Sequence, residues 1–600
     1  MPTDAELYIE SFLPADFFTR LADGDFTRTV YPPFADREAW EKISRKQVLK
    51  SFIADIFAQT ENLFAPEILP FSIFREFAEN GNRTHFEALV FRRRRELSAL
   101  VCAMCLSGSK DKYLPVIANY VAATLEEFTW TLPAHCEWDG LKLTDSQKVC
   151  LFTAEACATM SLVYATIGSE LDEYAPGISE CIRTAVLERG VYPSLARCEE
   201  FFWFCHHNPR PSNWTIWCCA NLILTTLLAE NDTRKLADTI RQFLWAASRW
   251  AIHYPVDGYC DEGPGYFGVA GGMLANIVAF LSTAMPGSMD KFLQDEKNRG
   301  MFNYFHRVHI TDYPVAYADL RPAPSCCGHT TATIAKLLNT PETRTFAAKT
   351  VPEKIYSNGL NEFMRVLCYT SDSYDLSAEP EKVTFYPGRL GIFRSSKFSA
   401  SLKGGHNDEH HNHNDLGHSV IYYGKTPLLI DFGTERYAKI NFSPLRYTLW
   451  YTRSSGHNAP VIGEFEQLHD AKYTATLSLL QNENDHGILQ SDLSNAYPAE
   501  AGVKKFLRTL DFTPEAVSIN DALELAKTET ITVNLITPAP VTTVDPHTVK
   551  IADVTLELKN IECVEVMPQP AETDIWGPVS RIVLKTTAAN YTLNFLAPQK

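Results

Sequence analysis

The chain has 600 residues, 45% of them hydrophobic and 21% charged. These are ordinary globular values, which exclude a disordered chain, a collagen and a coiled-coil rod. Lys plus Arg number 55 against 72 for Asp plus Glu, a formal charge of -17. That balance argues against nucleic-acid and anionic-membrane partners, while a local basic cleft could still meet an anionic substrate.

The N-terminus, Met1-Pro2-Thr3-Asp4-Ala5-Glu6, lacks a basic start leading into an apolar run. A cytoplasmic protein is therefore expected, or a periplasmic or secreted one if a signal has been trimmed. No stretch approaches the about 18 uninterrupted apolar residues of a membrane helix. The most apolar run, 216–229, is broken by Cys218, Cys219, Asn221, Thr225 and Thr226. Cys102 and Cys105 form a CxxC without a second pair at zinc-ribbon spacing, so the 15 cysteines read as reduced core residues.

Helical periodicity runs to about residue 369. Apolar residues recur at three- and four-residue steps over 149–166, 216–228, 236–252 and 268–281. Turn chemistry separates them, at Ser107-Gly108, Pro176-Gly177, Asn208-Pro209, Asp257-Gly258 and Pro286-Gly287. Several of these helices are apolar nearly all round and must be covered on more than one side, as in a large array of helical hairpins. The run Arg92–Arg95 is expected on a solvated helix face.

After about residue 382 the period changes to two. Strands are predicted at 383–386, 391–394, 398–402, 418–423, 427–431, 473–480, 506–512, 516–521, 530–536, 554–558, 582–584 and 591–595. Short strands without intervening helices imply an antiparallel sandwich. The expectation is a multidomain α-then-β chain, with a helical domain over 1–375 and a β-sandwich over 376–600.

One segment is compositionally odd. Four of the 17 histidines, His406, His410, His411 and His413, fall within eight positions, and Asp415 follows. In an extended chain His411, His413 and Asp415 would project to one side. Imidazole and carboxylate are ligand types that zinc and similar divalent ions accept. Asp431 ends a predicted strand that a hairpin could bring beside His413, and His457 opens another.

Three motifs in order resemble the heparinase II/III-like polysaccharide lyases. They are Pro211-Ser212-Asn213-Trp214-Thr215; Asp257-Gly258-Tyr259-Cys260-Asp261-Glu262-Gly263-Pro264-Gly265-Tyr266; and His411-Asn412-His413-Asn414-Asp415, followed by Tyr423-Gly424, Leu428 to Gly433, Tyr437 and Gly456-His457-Asn458. The resemblance covers about residues 195–470. It implies an α/α toroid (an incomplete helical barrel) followed by an antiparallel β-sandwich. It implies β-elimination on uronic-acid polysaccharides or oligosaccharides: heparan sulfate, chondroitin sulfate, hyaluronan or alginate.

The resemblance also assigns residues. Asn213 matches the neutraliser of the uronate carboxylate, Tyr266 the catalytic tyrosine and His411 the catalytic histidine. His413, Asp431 and His457 match the ligands of one structural divalent metal, usually zinc, with manganese or calcium as alternatives and no organic cofactor. His207, Arg210, Trp214, Glu262, His410 and Tyr447 are the further substrate-binding candidates. Trp214 stands where some members carry a histidine, which resembles the heparinase III-like arrangement.

The chemistry suits these residue types. The proton beside a carboxylate is removable only when the developing charge is stabilised, and a fixed amide can do that. A neutral histidine is a base near neutral pH, and a phenol is an acid there. Two other classes stay open: a metal-dependent glycan hydrolase and a non-catalytic glycan-binding protein. Only elimination makes a new carbon–carbon double bond.

Overall fold

A computed structural model of the protein describes residues 7–136, 148–204, 211–320, 327–374, 376, 378–569 and 576–598. The chain forms two compact units. The first comprises Met1–Gly258, Gly268–Phe302 and Ser325–Ala378; the second comprises Tyr259–Phe267, Asn303–Pro324 and Glu379–Lys600. Two stretches from the helical half of the sequence thus belong with the strands.

The first unit is helical. Its centre holds the helices Leu151–Tyr174, Asn213–Ala229 and Gly271–Ala284, which are buried on most sides. All-round apolarity, which abolishes an amphipathic stripe, is what a helix covered by neighbours requires. More amphipathic helices such as Thr233–His253 lie outside them, that one N-capped by Asp232, whose carboxylate accepts from the Arg234 and Lys235 N–H groups. By length and mean hydropathy Leu151–Tyr174 could cross a membrane, although Thr153, Glu155, Ser161 and Thr166 interrupt its apolar residues. However, 78% of its apolar window is packed inside the protein, as in a core helix.

The arginine run corrects a second expectation. It lies inside Thr84–Ser107, and Arg93 and Arg94 turn inward at 6% exposure each, where both meet the Glu127 carboxylate. A helix covered on several sides cannot keep four consecutive side chains in water, so two of them require a buried counter-charge. Cys102 and Cys105 are fully buried in the same helix and unbridged.

The second unit contains antiparallel sheets of five, nine and four strands among the described residues. One apolar core draws on all three, with Phe398 and Leu402 from the first, Leu489 and Phe506 from the second, and Val533 and Leu584 from the third. Alternation is visible in Val503–Phe512 and Ala516–Leu525, where every second residue is buried.

Buried polar groups fix the loops between strands. The Arg508 guanidinium is 1% exposed, and its Nε and Nη2 donate to Asp521 at 2.8 and 2.6 Å. Its Nη1 donates to the carbonyls of Gly417 and Asn458, both at 2.9 Å. The Asn458 amide donates to Ser419 O and Ile430 O and accepts from the Ile536 N–H. Gln467 donates to Leu416 O and accepts from the Leu416 N–H. The segments around residues 417, 430 and 458 are therefore tied by satisfied buried hydrogen bonds, which makes their relative placement specific.

Candidate active site and metal group

Tyr266, Asp319, the His411–His413 segment, Asp431 and His457 all belong to the strand-rich unit. Tyr266 ends a glycine-rich loop, and the glycines have a packing reason. A Cβ on Gly263 (φ +80°) would lie 3.0 Å from Tyr317 O, and one on Gly265 would lie 3.0 Å from the Leu320 Cα. The loop therefore presses backbone to backbone on the 317–320 segment, which only glycine allows. That segment is held in turn by a Tyr317–Ser401 hydroxyl contact at 2.8 Å and by the Thr434 N–H on Leu320 O. It carries Asp319, a residue that sequence reading missed.

Asp319 is 6% exposed and accepts from both histidines of the His-x-His pair. His411 Nδ1 lies 3.1 Å from its Oδ2, and His413 Nε2 lies 3.0 Å from its Oδ1. Arg446 Nη2 donates to the same Oδ2 at 2.8 Å and to the carbonyls of His411 and Asn412, both at 3.1 Å. Burial opposes the charge on Asp319, but the two histidines and Arg446 outweigh it and hold the carboxyl well below the usual range. With Asp319 ionised, the His411 nitrogen facing it, Nδ1, is a donor, and in the neutral imidazole Nε2 keeps the lone pair. His413 carries its proton on Nε2 and leaves Nδ1 free.

The His411 backbone has φ +59°, a left-handed conformation that is strained for a side-chain-bearing residue. His411 is therefore not in the extended chain that sequence reading assumed. Asp415 does not share its side: it pairs with buried Lys403. The His411 ring stacks on Tyr266, with centroids 3.6 Å apart and planes 12° from parallel. Its Nε2 lies 3.9 Å from Glu262 Oε2. The Tyr266 hydroxyl meets that of Tyr437 at 2.7 Å. Burial, then the Asp319 charge, pushes the Tyr266 phenol above its ordinary value, so it stays protonated.

His413, Asp431 and His457 converge as a possible metal-binding triad, each offering a ligand atom within 4.8 Å of the others. They are 0%, 1% and 0% exposed. His413 Nδ1 and both His457 ring nitrogens make no hydrogen bond, and Asp431 Oδ2 lies 3.1 Å from His457 Nδ1, a convergence of buried polar atoms that a cation would satisfy. The other Asp431 oxygen accepts from the Gly433 N–H at 2.7 Å. Burial lowers the His413 pKa despite Asp319, which favours the neutral imidazole a metal needs. Buried His418 was not anticipated. Its Nδ1 accepts from the Asn458 N–H at 2.9 Å, so neutral His418 carries its proton on Nε2, 3.6 Å from Asp431 Oδ2. At that distance it makes no hydrogen bond to the carboxylate, and it lies outside the three-residue ligand group.

The remaining predicted residues divide. Asn213 is in the helical unit, 3% exposed, as the first residue of Asn213–Ala229, with Ser212 at the N-cap. Trp214 packs there against His135 and Phe202, at 4.7 and 4.9 Å between ring centroids. Glu262 is buried beside His411, and His410 is partly buried in the turn before it. Tyr447 donates to Asn412 O at 3.5 Å and stacks on His469 at 4.4 Å. His207 and Arg210 lie outside the described residues.

The strand-rich unit thus carries a stacked histidine–tyrosine pair and a buried His/Asp/His group. Residues 391–574 match the family described as heparinase II/III-like, C-terminal, in line with the resemblance read from the sequence. The fold is similar to that of a heparinase III, the BT4657 gene product, with TM-score 0.60 at 12% identity over 98% of this chain and 93% of that one. It is also similar to a mutant of the heparan sulfate lyase HepC from Pedobacter heparinus, with TM-score 0.56 at 12% identity over 85% and 77%. The Streptomyces coelicolor A3 chondroitin AC lyase in complex with chondroitin sulphate gives TM-score 0.52 at 10% identity over 94% and 83%. At these identities the likeness is one of fold, the expected helical region followed by antiparallel sheets. No curated protein sequence matches.

Proposed function

We propose that the chain is a carbon–oxygen lyase that cleaves uronic-acid polysaccharides or oligosaccharides by β-elimination. Glycosaminoglycans are the first substrate class, with alginate as a second. The reading is supported by the Tyr266–His411 stack, in which a protonated phenol lies against an imidazole whose Nδ1 faces Asp319, so that Nε2 is the nitrogen left to act as base.

His411 Nε2 takes the proton from the carbon bearing the carboxylate. The electron pair of that C–H bond forms the new double bond, and the bond from the neighbouring carbon to the glycosidic oxygen breaks. Tyr266 donates its proton to that oxygen. Asn213 donates hydrogen bonds to the carboxylate as charge develops. Arg210, His207, Trp214, Glu262, His410 and Tyr447 are the proposed contacts to the anionic chain. His413, Asp431 and His457 would hold the proposed metal, zinc, which would supply a structural cross-link.

Burial of all three ligands weighs against the metal-dependent hydrolase, which requires a position open to water and substrate. The test is a panel of heparan sulfate, chondroitin sulfate, hyaluronan and alginate, read by ultraviolet absorbance of the unsaturated uronate. Absorbance growing on at least one substrate, and its loss in Asn213→Ala by about 10²–10³-fold, supports the reading. Cleavage without absorbance overturns it.

A further inference from the structure

We infer that Asp319 is a positioning residue that fixes the His411 proton on Nδ1 and couples that ring to the metal-holding His413. Its kinetic consequence rests on the lyase reading; its geometric content does not.

Both carboxylate oxygens of Asp319 are engaged. Oδ2 receives His411 Nδ1 and the Arg446 guanidinium, and Oδ1 receives His413 Nε2. A neutral imidazole has one proton, so a carboxylate facing one nitrogen decides which other nitrogen keeps a lone pair. One side chain therefore sets two assignments. At His411 it exposes Nε2 as a base, and at His413 it exposes Nδ1 towards Asp431 and His457. Metal-ligating histidines characteristically donate their second N–H to a carboxylate. In this chain the same carboxylate also serves the catalytic histidine.

The surroundings hold Asp319 in place. Its neighbour Ala318 has φ +62°, strained for alanine, and the segment is clamped by Gly263, Gly265 and the Thr434 N–H. Arg446 joins Asp319 to the carbonyls of His411 and Asn412, so carboxylate, ring and backbone form one hydrogen-bonded unit.

The test is Asp319→Asn in the full chain, saturated with zinc and labelled with nitrogen-15 at histidine. His411 is assigned by its absence in His411→Gln. In the wild type His411 should show a protonated Nδ1 and a bare Nε2; in the variant that pattern should be lost. Replacing the carboxylate that fixes a catalytic histidine's tautomer costs about 10⁴-fold in the serine-protease triad, so kcat should fall by about 10²–10⁴-fold with KM within about threefold. A variant whose His411 keeps the wild-type nitrogen pattern overturns the proposal. So does one whose turnover returns to wild type on zinc saturation, since Asp319 would then act through metal affinity alone. If the wild type turns over no uronate, the lyase reading fails, and the nitrogen shifts still decide the role of Asp319.

Discussion

Tyr266 and His411 lie ring on ring, 3.6 Å between centroids, although 144 positions separate them in the chain. The stack exists because two glycines let the Tyr266 loop press on the Asp319 segment, and because Asp319 holds His411 from its other edge.

Tyr266→Phe keeps that stack and removes only the hydroxyl. The lost group acts in proton transfer, so kcat should fall by about 10²–10⁴-fold with KM close to wild type. Steady-state kinetics with the two constants resolved checks this. A defect confined to KM would make Tyr266 a binding residue.

His413→Ala, Asp431→Ala and His457→Ala should each lower metal content and melting temperature, since a metal bound only by the native state stabilises it by about 4 kcal/mol at 1,000 times its Kd. His411→Ala should keep both and lose activity. Elemental analysis with thermal melts on the four variants decides between these roles. Loss of metal in His411→Ala, with retention in His413→Ala, would reverse them.

Arg508→Met should cost about 3–5 kcal/mol, because Asp521 is left buried without its partner. It also frees the Gly417 and Asn458 carbonyls, so metal content should fall with stability. Replacing Asp521 with leucine in the same protein should recover part of the stability. Denaturant unfolding measures both steps, and additive losses would contradict the account.

Glu409 supplies a pH dependence. Burial pushes its carboxyl from the ordinary 4.5 up to about 8, with nearby Lys403 only partly opposing. The folded state thus holds this proton to higher pH than the unfolded chain does. The stabilisation is complete below the ordinary value and is lost as pH rises through about 8. Glu409→Gln should therefore lose less melting temperature than wild type between about pH 5 and about pH 9. An identical pH slope in both proteins would contradict this.

Much of the fold was legible where one physical rule dominates. The strand at Val383–Tyr386 was read to the residue, and the central helices were evident from their apolarity. The strand His486–Asn495 was missed because Gly487 and Ser491 occupy two of its inward positions. Gly487 is required there because the Phe393 ring fills the space of a Cβ. The His411–His413 cluster stood out by its spacing, whereas Asp431 and His457, which converge with His413, were placed beside it by the family resemblance. Asp319 and His418 were missed, because each is a single polar residue whose role comes from segments about 90 and 40 positions away. The aspartate in Ala318-Asp319-Leu320 carries no local signal, although the strained Ala318 marks it once backbone angles are known.

The central claim is that the glycosidic bond breaks by elimination. The most direct measurement is digestion of a susceptible uronate oligosaccharide in heavy-oxygen water, followed by mass spectrometry of both fragments. Elimination adds no water across the bond. The account predicts that neither fragment gains heavy oxygen from cleavage and that the fragment bearing the uronate is lighter than its hydrolytic counterpart by one water. Incorporation of one heavy oxygen per bond cleaved, with no unsaturated fragment, would contradict it.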